Sequence, residues 1–368
     1  MAGRSSQADN RGTDLFGLLV SGKIKEYHTT RSAASTTPGP GPTGMTATGG
    51  VISDYTDPGP GDKYRAHIFT SSGTFTVTDS TSAFGSNIEY LVVAGGGGSG
   101  STAYAGGGGA GGFRTNVSGH PLASPDTLTV SDTPGSYTVT VGGGGARKME
   151  FSPDVQGVPG TNSTFVSPLS PQTVTSYGGG AGGAYNTYDD GVPGGSGGGG
   201  AANGGAGGYG YNPATPTAVI TAVPLPDPYG LTQGNDGGAG SGAGGAGGGG
   251  AGGAGQPVGD GSAGGAGSPI SISGSDVTYA AGGAGGGGSA SRDGTDGTYS
   301  TGNGGSANGS AGGSGIVIVK YQIGNSQAGT TKATGGIISF YNGKTIHTFN
   351  STDTFVTPGT FNESVEYF

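Results

Sequence analysis

Glycine constrains this chain more than any other residue. The sequence of 368 residues contains 91 glycines, and 53 of them fall within residues 178–315. Each glycine inside an α-helix costs about 1 kcal/mol relative to alanine, so this region is not expected to form helices. Long strands are also disfavoured, since glycine has no side chain to pack on a sheet face. The regular conformation that remains is the extended polyproline-II type, which winds three residues per turn.

The spacing of alanines in the glycine-rich region supports this conformation. Alanines recur three residues apart in four places: Ala243/Ala246, Ala251/Ala254, Ala263/Ala266 and Ala281/Ala284. Residues three apart lie on one face of a three-residue helix, which leaves the glycine faces free to approach neighbouring helices. We therefore predict a bundle of polyglycine-II helices over residues 178–315, held by main-chain hydrogen bonds worth about 1 kcal/mol each. Collagen is excluded, because the Gly-X-Y register slips within a few triplets.

A smaller set of segments has the patterns typical of β-strands. Residues 67–77 alternate and place Phe69, Phe75 and Val77 on one face, while residues 88–94 form a continuous apolar run. Residues 316–321 are the last strong strand signal. These signals predict an all-β chain with one small antiparallel sandwich of about five to eight strands.

A hairpin is also predicted within this sandwich. Leu128 and Val130 alternate before the turn residues 133–135, and Tyr137 and Val139 alternate after them. Proline followed by glycine between two alternating segments is typical of a tight turn. We therefore expect the two segments to pair with each other.

Residues 1–45 differ from the rest of the chain. An apolar patch is followed by basic residues, and the segment contains Leu15, Phe16, Leu18, Leu19, Lys23 and Lys25. Its end, residues 38–42, alternates proline and glycine and predicts a stiff linker. Chain ends fray unless a contact holds them, so we expect residues 1–45 to anchor the chain on a partner protein. The alternative is that the patch packs on the chain's own domain.

The end of the chain repeats its beginning. Residues 47–55 match residues 333–341 at seven of nine positions, and His347 aligns with His67. We therefore predict three regions: the anchor and linker over 1–45, a glycine-rich β domain over 46–325, and a partial second copy over 333–368.

The sequence offers little catalytic or metal-binding chemistry. It has no cysteine, and its histidines are scattered at His28, His67, His120 and His347. We interpret His67 and His347 as polar residues at strand edges. Residues 91–100 are similar to the strand and glycine turn of a dinucleotide site, but no helix follows to face a phosphate. We predict no enzyme activity and no cofactor.

Charge and hydropathy exclude further classes. The 14 basic and 23 acidic residues give a formal net charge of −9, so no basic surface for nucleic acid is expected. No apolar run is long enough to span a membrane, and we predict no membrane insertion. The acidic pairs Asp189/Asp190 and Asp293/Asp296 lack EF-hand spacing, so we predict no metal site.

Five tyrosines lie in the gaps between glycine runs: Tyr185, Tyr188, Tyr209, Tyr211 and Tyr229. Tyrosine among glycine, serine and asparagine is typical of adaptable recognition loops. Its ring also stacks on the faces of sugars. We predict that these tyrosines contact a receptor; the alternative is that they cap the glycine bundle.

The order of these segments resembles a known type of domain. A strand runs into polyglycine at residues 88–98, Gly-Gly-Phe-Arg follows at 111–114, a second strand runs into glycine at 137–145, and Gly-Gly-Ser-Gly leads into the last strand at 312–321. Over about residues 50–323, this order resembles the glycine-rich domain of tailed-bacteriophage fibre and adhesin proteins. The resemblance implies a lattice of polyglycine-II helices with receptor-binding loops at one end, such as residues 185–191 and 209–231.

The resemblance further implies a virion appendage protein without catalysis. Residues 1–45 would attach it to other virion proteins, and its loops would bind a host receptor or glycan, in a homotrimer on the particle surface. Two alternatives stay open. An ice-binding or matrix protein would use a flat face of aligned alanines. A polysaccharide depolymerase would need paired carboxylates, and glutamate is scarce in this sequence.

Overall fold

The computed structural model describes residues 43–57, 62–148, 155–169, 173–186, 189–211, 232–242, 244–258, 262–287, 294–324, 337–341, 344–349, 352 and 354–356. The predicted anchor, with Leu15, Phe16, Leu18, Leu19, Lys23 and Lys25, lies outside these residues. The described residues form fifteen strands and no α-helix, which confirms the all-β class. The strands are β1 (Thr46–Thr48), β2 (Val51–Thr56), β3 (Lys63–Phe69), β4 (Gly73–Asp79), β5 (Asn87–Val93), β6 (Phe113–Thr115), β7 (Leu128–Thr129), β8 (Ser136–Thr140), β9 (Ser163–Val166), β10 (Thr173–Ser176), β11 (Ser268–Ile270), β12 (Val277–Tyr279), β13 (Ile316–Gly324), β14 (Ile337–Tyr341) and β15 (Lys344–Thr348).

Two antiparallel sheets form the predicted sandwich, although they contain eleven strands and not the expected five to eight. Sheet A has the order β1-β4-β8-β9-β10, and sheet B has the order β2-β3-β13-β5-β6, with β7 added beside β5. The last strand, β13, lies between β3 and β5 and pairs with both. The glycine-rich segments therefore leave the sandwich and return to it before the chain reaches β13, the central strand of sheet B.

The core between the sheets is aromatic. Phe75, Tyr137 and Phe165 of sheet A are fully buried, and the rings of Tyr137 and Phe165 stack with centroids 5.5 Å apart. Phe69 and Tyr321 enter the same core from sheet B. Phe69 and Phe75 thus share one core as expected, but they belong to different sheets, because a turn at residues 70–72 divides the predicted stretch 67–77.

The other face of sheet B is also buried. Leu91, Phe113 and Ile318 on this face pack against Ile272 and Tyr279, which belong to the β11–β12 hairpin and its turn. Sheet B is therefore covered on both sides, which explains why residues 88–94 read as a continuous apolar run instead of an alternating one.

The predicted hairpin around residues 133–135 is wrong. β7 pairs with β5 at the edge of sheet B, whereas β8 pairs with β4 and β9 in sheet A. The turn therefore carries the chain from one sheet to the other. Alternation and turn residues alone do not show which partner a strand takes, because both sheets bury one face of each segment against the same core.

The second copy repeats the pairing of the first. Val51 lies opposite Ile68 and Ile52 opposite His67 in β2 and β3. The equivalent residues pair in the same register in the C-terminal hairpin, where Ile337 lies opposite Thr348 and Ile338 opposite His347. The repeat found in the sequence is therefore also a repeat of local structure.

The glycine-rich segments form a bundle of extended chains. We call glycine bundle the described residues within 95–112, 142–148, 155–161, 177–211, 233–267 and 280–315. Its first segment bonds to three neighbours in rotation. The N–H groups of residues 95 and 98 donate to the carbonyls of 161 and 158, those of 96 and 99 to 313 and 310, and those of 97 and 100 to 109 and 106. Every third residue thus bonds to the same neighbour, which is the three-residue winding predicted for polyglycine II.

The bundle is larger than the sequence indicated. Residues 106–112 rotate their hydrogen bonds in the same way, although they precede the predicted region of 178–315. The N–H groups of residues 106, 109 and 112 donate to 183, 180 and 177, those of 107 and 110 to 246 and 249, and those of 108 and 111 to 305 and 302. Short glycine runs between strands are therefore parts of the bundle and not only turns.

Close approach explains why the interior positions are glycine. A Cβ atom at Gly108 would lie 2.0 Å from the carbonyl oxygen of Gly97, and one at Gly144 would lie 1.9 Å from that of Gly312. No real Cβ atom tolerates such contacts. These positions therefore have no room for a side chain, whereas other interior positions hold small buried ones, such as those of Ala181 and Ala246.

Segments at the bundle surface carry a side chain at every third residue. Ala206 and Tyr209 are exposed in one such segment, and Ala263 and Ala266 are exposed in another. The residues between them are turned toward neighbouring segments and are mostly glycine. In these two segments the Gly-Gly-X pattern therefore places side chains on the surface, whereas the same pattern at Ala181 and Ala184 is buried.

Candidate recognition surface

Several turns meet at the end of the glycine bundle that lies away from the sandwich. We call far end the described residues 101–104, 184–186, 189–190, 201–206 and 307–309. The N–H of Ala202 donates to the carbonyl of Tyr104 over 3.0 Å, and the N–H of Gly309 donates to the carbonyl of Gly100 over 2.7 Å. Backbone bonds therefore hold these turns against one another.

Two of these turns have the same Ala-Asn-Gly sequence. Asn203 and Gly204 have φ angles of 72° and 84°, and Asn308 and Gly309 have φ angles of 71° and 76°. Two successive positive φ angles are typical of a type I′ turn, for which Asn-Gly is the preferred pair. The dipeptide thus reverses the chain within two residues and keeps neighbouring segments close.

Aromatic rings and amides lie side by side on the far end. The rings of Tyr104 and Tyr185 have centroids 5.2 Å apart. The exposed side chain of Asn203 donates from Nδ2 to Oδ1 of Asn186 over 3.2 Å. These contacts join three turns that are distant in the sequence into one surface.

Two carboxylates lie in the loop that carries Tyr185. Oδ1 of Asp190 accepts a hydrogen bond of 2.7 Å from the N–H of Ala206, and the carbonyl of Asp190 accepts one of 2.9 Å from Gln156. Oδ1 of Asp189 is shielded from solvent and has no hydrogen-bond partner among the described residues. The far end therefore offers acceptors as well as rings.

The tyrosines predicted as receptor contacts do not lie together. Tyr185 lies at the far end. Tyr211 lies where the bundle meets the sandwich, because its carbonyl accepts from the N–H of Gln233, whose own carbonyl accepts from Phe113 of β6. Tyr209 precedes it on the same segment and is 50% exposed. Tyr188 and Tyr229 lie outside the described residues.

Tyr211 also has a ring partner. Its centroid lies 4.7 Å from that of Tyr177, which follows β10 directly. This pair lies at the junction between the bundle and the sandwich. The two tyrosine pairs thus lie at opposite ends of the bundle.

Sequence reasoning missed Tyr104, Asn203 and Asn308 at the far end. The repeated Ala-Asn-Gly sequence is the signal that could have found the two turns. Nothing in the sequence near Tyr104 indicates that it meets Tyr185, because that contact depends on how the segments are arranged in the bundle.

The interpretation of His67 as a strand-edge residue is wrong. His67 is fully buried in the sandwich, between Phe75 and Tyr321. Its Nδ1 donates to the carbonyl of Gly49 over 2.7 Å, and its Nε2 accepts from the hydroxyl of Tyr321 over 3.0 Å. Burial lowers its pKa, so the ring stays neutral and serves as a core residue.

The glycine turn after β5 is not a phosphate site. The N–H groups of all six residues 95–100 donate to backbone carbonyls within the bundle. A phosphate cradle requires free N–H groups that converge on one point. In the described part of the chain, no three His, Cys, Asp or Glu residues are grouped so that they could hold a metal ion.

The comparisons with known proteins place this architecture in a family. The family described as glycine-rich domain matches residues 70–322, from the end of β3 to β13. The chain therefore belongs to the glycine-rich domain family. No curated protein matches the sequence. Among the described residues, no helix has the length and apolarity to cross a bilayer.

Proposed function

We propose that this protein is a structural protein of a bacteriophage virion appendage, of the tail-fibre or adhesin type, which attaches the particle to its host without catalysis. The observation that carries the proposal is the far end of the glycine bundle. There, segments held by their backbones end in adjoining turns that present tyrosine rings, amides and carboxylates.

The bundle supports this role because it fixes the position of its turns. Interior segments bond to neighbours in three directions, and their glycines leave no loose side chains between them. A surface that is ordered before binding loses little conformational entropy when a ligand arrives. Attachment requires such a rigid support more than it requires reactive groups.

The side chains of the far end suit a glycan of the host surface. The rings of Tyr104 and Tyr185 offer apolar faces for the C–H groups of a sugar. The amides of Asn186 and Asn203 both donate and accept hydrogen bonds, and carboxylates only accept them. Asp190 is the exposed carboxylate residue of this loop, so its side chain can accept from a sugar hydroxyl.

The test is binding of the full chain to immobilised bacterial surface polysaccharides. We expect the double variant Tyr104→Ala/Tyr185→Ala to lose at least about tenfold in affinity, which corresponds to about 1.4 kcal/mol. Tyr299→Ala is the matched control, since Tyr299 is 78% exposed and lies outside the far end. Equal binding by the double variant, or a loss with Tyr209→Ala instead, would place recognition elsewhere.

The alanine rows give less support to an ice-binding or matrix role. That role requires the rows to lie on one flat exposed face. Ala263 and Ala266 are exposed, but Ala246 and Ala251 are buried inside the bundle. We therefore expect no thermal hysteresis in solutions of the chain, and a measurable effect would favour this alternative.

A further inference from the structure

The four edges of the two sandwich sheets are not protected equally. β6 is covered, because Phe113 donates its N–H to Gln233 over 2.9 Å and Thr115 accepts from Ser124 over 2.7 Å. β10 is covered by the side chain of Gln233, which donates to the carbonyl of Thr175 over 3.2 Å. β1 has only three residues. Covered or very short edges are the usual protection against pairing with other chains.

β2 has neither form of protection. It is the longest of the four edge strands, with six residues in unbroken register with β3. In the described part of the chain, nothing bonds to the backbone of Val51–Thr56 on the side away from β3. The strand also contains no lysine and no proline, the residues that commonly block an open edge.

Apolar side chains flank this edge on both faces of the sheet. Val51 is 66% exposed and Ile52 is 48% exposed. They point to opposite faces of sheet B. Val51 lies opposite Ile68, beside the cluster on the outer face, and Ile52 lies opposite His67, in the core between the two sheets. An added strand would cover both side chains at once, because its residues also alternate between the faces.

We propose that β2 pairs with β2 of a second copy of this chain, antiparallel and about a two-fold axis, so that two copies of sheet B become one continuous sheet. This dimer differs from the homotrimer that the resemblance implies. Such a contact is self-complementary, because the same strand serves on both sides. Main-chain hydrogen bonds between edges supply the affinity in this mode of association.

The sequence of β2 favours a register centred on Ser53. In this register Val51 lies opposite Tyr55 of the second copy, a pair of a β-branched and an aromatic residue that stabilises antiparallel strands. Asp54 lies opposite Ile52 of the second copy, so the two Asp54 carboxylates do not face each other. The charge of each Asp54 is already paired with Arg65, whose Nε and Nη2 donate to its Oδ1 and Oδ2 over 2.7 Å each.

The chain uses this strand pattern twice. β14 has the sequence Ile-Ile-Ser-Phe-Tyr where β2 has Val-Ile-Ser-Asp-Tyr. Among the described strands β14 also pairs on one side only, with β15. Among the described strands, this apolar pattern with pairing on one side therefore occurs twice.

The proposal is tested by the mass of the full chain in solution as a function of concentration. We expect the weight-average mass to rise from 34.9 kDa to twice that value, and to stay at 34.9 kDa in Val51→Lys and Ile52→Lys. Each variant places a charge beside the edge at an exposed position, so folding should be preserved, as thermal unfolding will check. Tyr299→Lys, at an exposed position outside β2, should associate like the unchanged chain.

Hydrogen exchange locates the contact. Amides of Val51–Tyr55 that face away from β3 should exchange at least about tenfold more slowly in the dimer than in the dilute monomer. A chain that stays monomeric, a trimer, or a dimer that both lysine variants still form would overturn the proposal. Slow exchange of these amides in the monomer would overturn it as well, because the chain's own residues would then cover the edge.

Discussion

The β-sandwich and the glycine bundle belong to one chain, yet they are stabilised by different groups. The sandwich excludes water with large side chains, such as Phe75, Tyr137 and Phe165, which are fully buried. The bundle excludes water by bringing backbones together, and glycine is required at interior positions such as Gly108 and Gly144 because a Cβ atom there would collide with a neighbouring carbonyl. A chain with only 30% hydrophobic residues can therefore be extensively ordered when a second region needs no apolar side chains.

The comparison also shows what each region tolerates. In the sandwich core, a side chain is surrounded by other side chains, which can move to accommodate a change in its size. An interior glycine of the bundle is surrounded by backbone, which cannot rotate away from an added atom. We therefore expect removal of atoms to damage the sandwich most and addition of atoms to damage the bundle most.

The largest expected effect is the loss of a core ring. Phe75→Ala should lower the free energy of unfolding by about 4 kcal/mol, because it removes a fully buried ring and leaves a cavity. The ring lies 6.0 Å from that of Tyr137 and 6.2 Å from that of Phe165. Urea unfolding measures the loss. A change below about 1 kcal/mol would show that the backbone, not the aromatic core, dominates the stability of the sandwich.

The next effect is the addition of one methyl group to the bundle. Gly108→Ala should destabilise by about 3 kcal/mol, because the new Cβ would lie 2.0 Å from the carbonyl oxygen of Gly97. Gly143→Ala is the matched control: the new Cβ would lie no closer than 3.9 Å to a residue outside its own stretch of chain, the hydroxyl oxygen of Thr161, so the change should stay within about 0.5 kcal/mol. Equal stability of the two variants would contradict the close-packed arrangement.

A smaller effect should come from pH, because a buried histidine of the sandwich, His67, makes the free energy of unfolding depend on pH. Burial holds the pKa of His67 below its usual range, while the unfolded chain takes up a proton near about pH 6.5. The stability contributed by neutral His67 is therefore complete above about pH 6.5 and is lost as the pH falls from there through the lower folded-state pKa. Urea unfolding at several pH values measures this decrease.

The control for the pH effect is a second histidine. Burial also lowers the pKa of His120, whose Nε2 donates to the carbonyl of Pro269 over 3.2 Å. His67→Gln should flatten most of the pH dependence, whereas His120→Gln should leave most of it. The opposite result would mean that His67 is not the group that titrates.

Much of the fold could be predicted because the two regions have distinct periods. Residues 88–94 and 316–321 were recognisable as strands from their apolar runs, and the three-residue spacing of alanines indicated the winding of the bundle. The strands β9 to β12 were not predicted. They have only three or four residues each, and such short segments carry too few side chains to show a period.

The candidate site was predicted less well, for a geometric reason. The tyrosines were recognised by their neighbours in the sequence, but residue type does not show at which end of a bundle a turn lies. The end at which a turn lies depends on how many residues each segment has between successive turns. Tyr185 and Tyr211 are only 26 residues apart in the sequence, yet they lie at opposite ends.

The sequence by itself determined that helices are absent from the glycine-rich segments and that these segments wind with a period of three. Both follow from the backbone freedom of glycine and from the spacing of the few side chains, which are local properties. Only the tertiary structure decided which segments are neighbours, which sheet each strand joins, and that Tyr104 meets Tyr185. Backbone hydrogen bonds look alike at every glycine, so a glycine run does not specify its partner. The sandwich, whose side chains differ in size and shape, fixes where each run begins and ends.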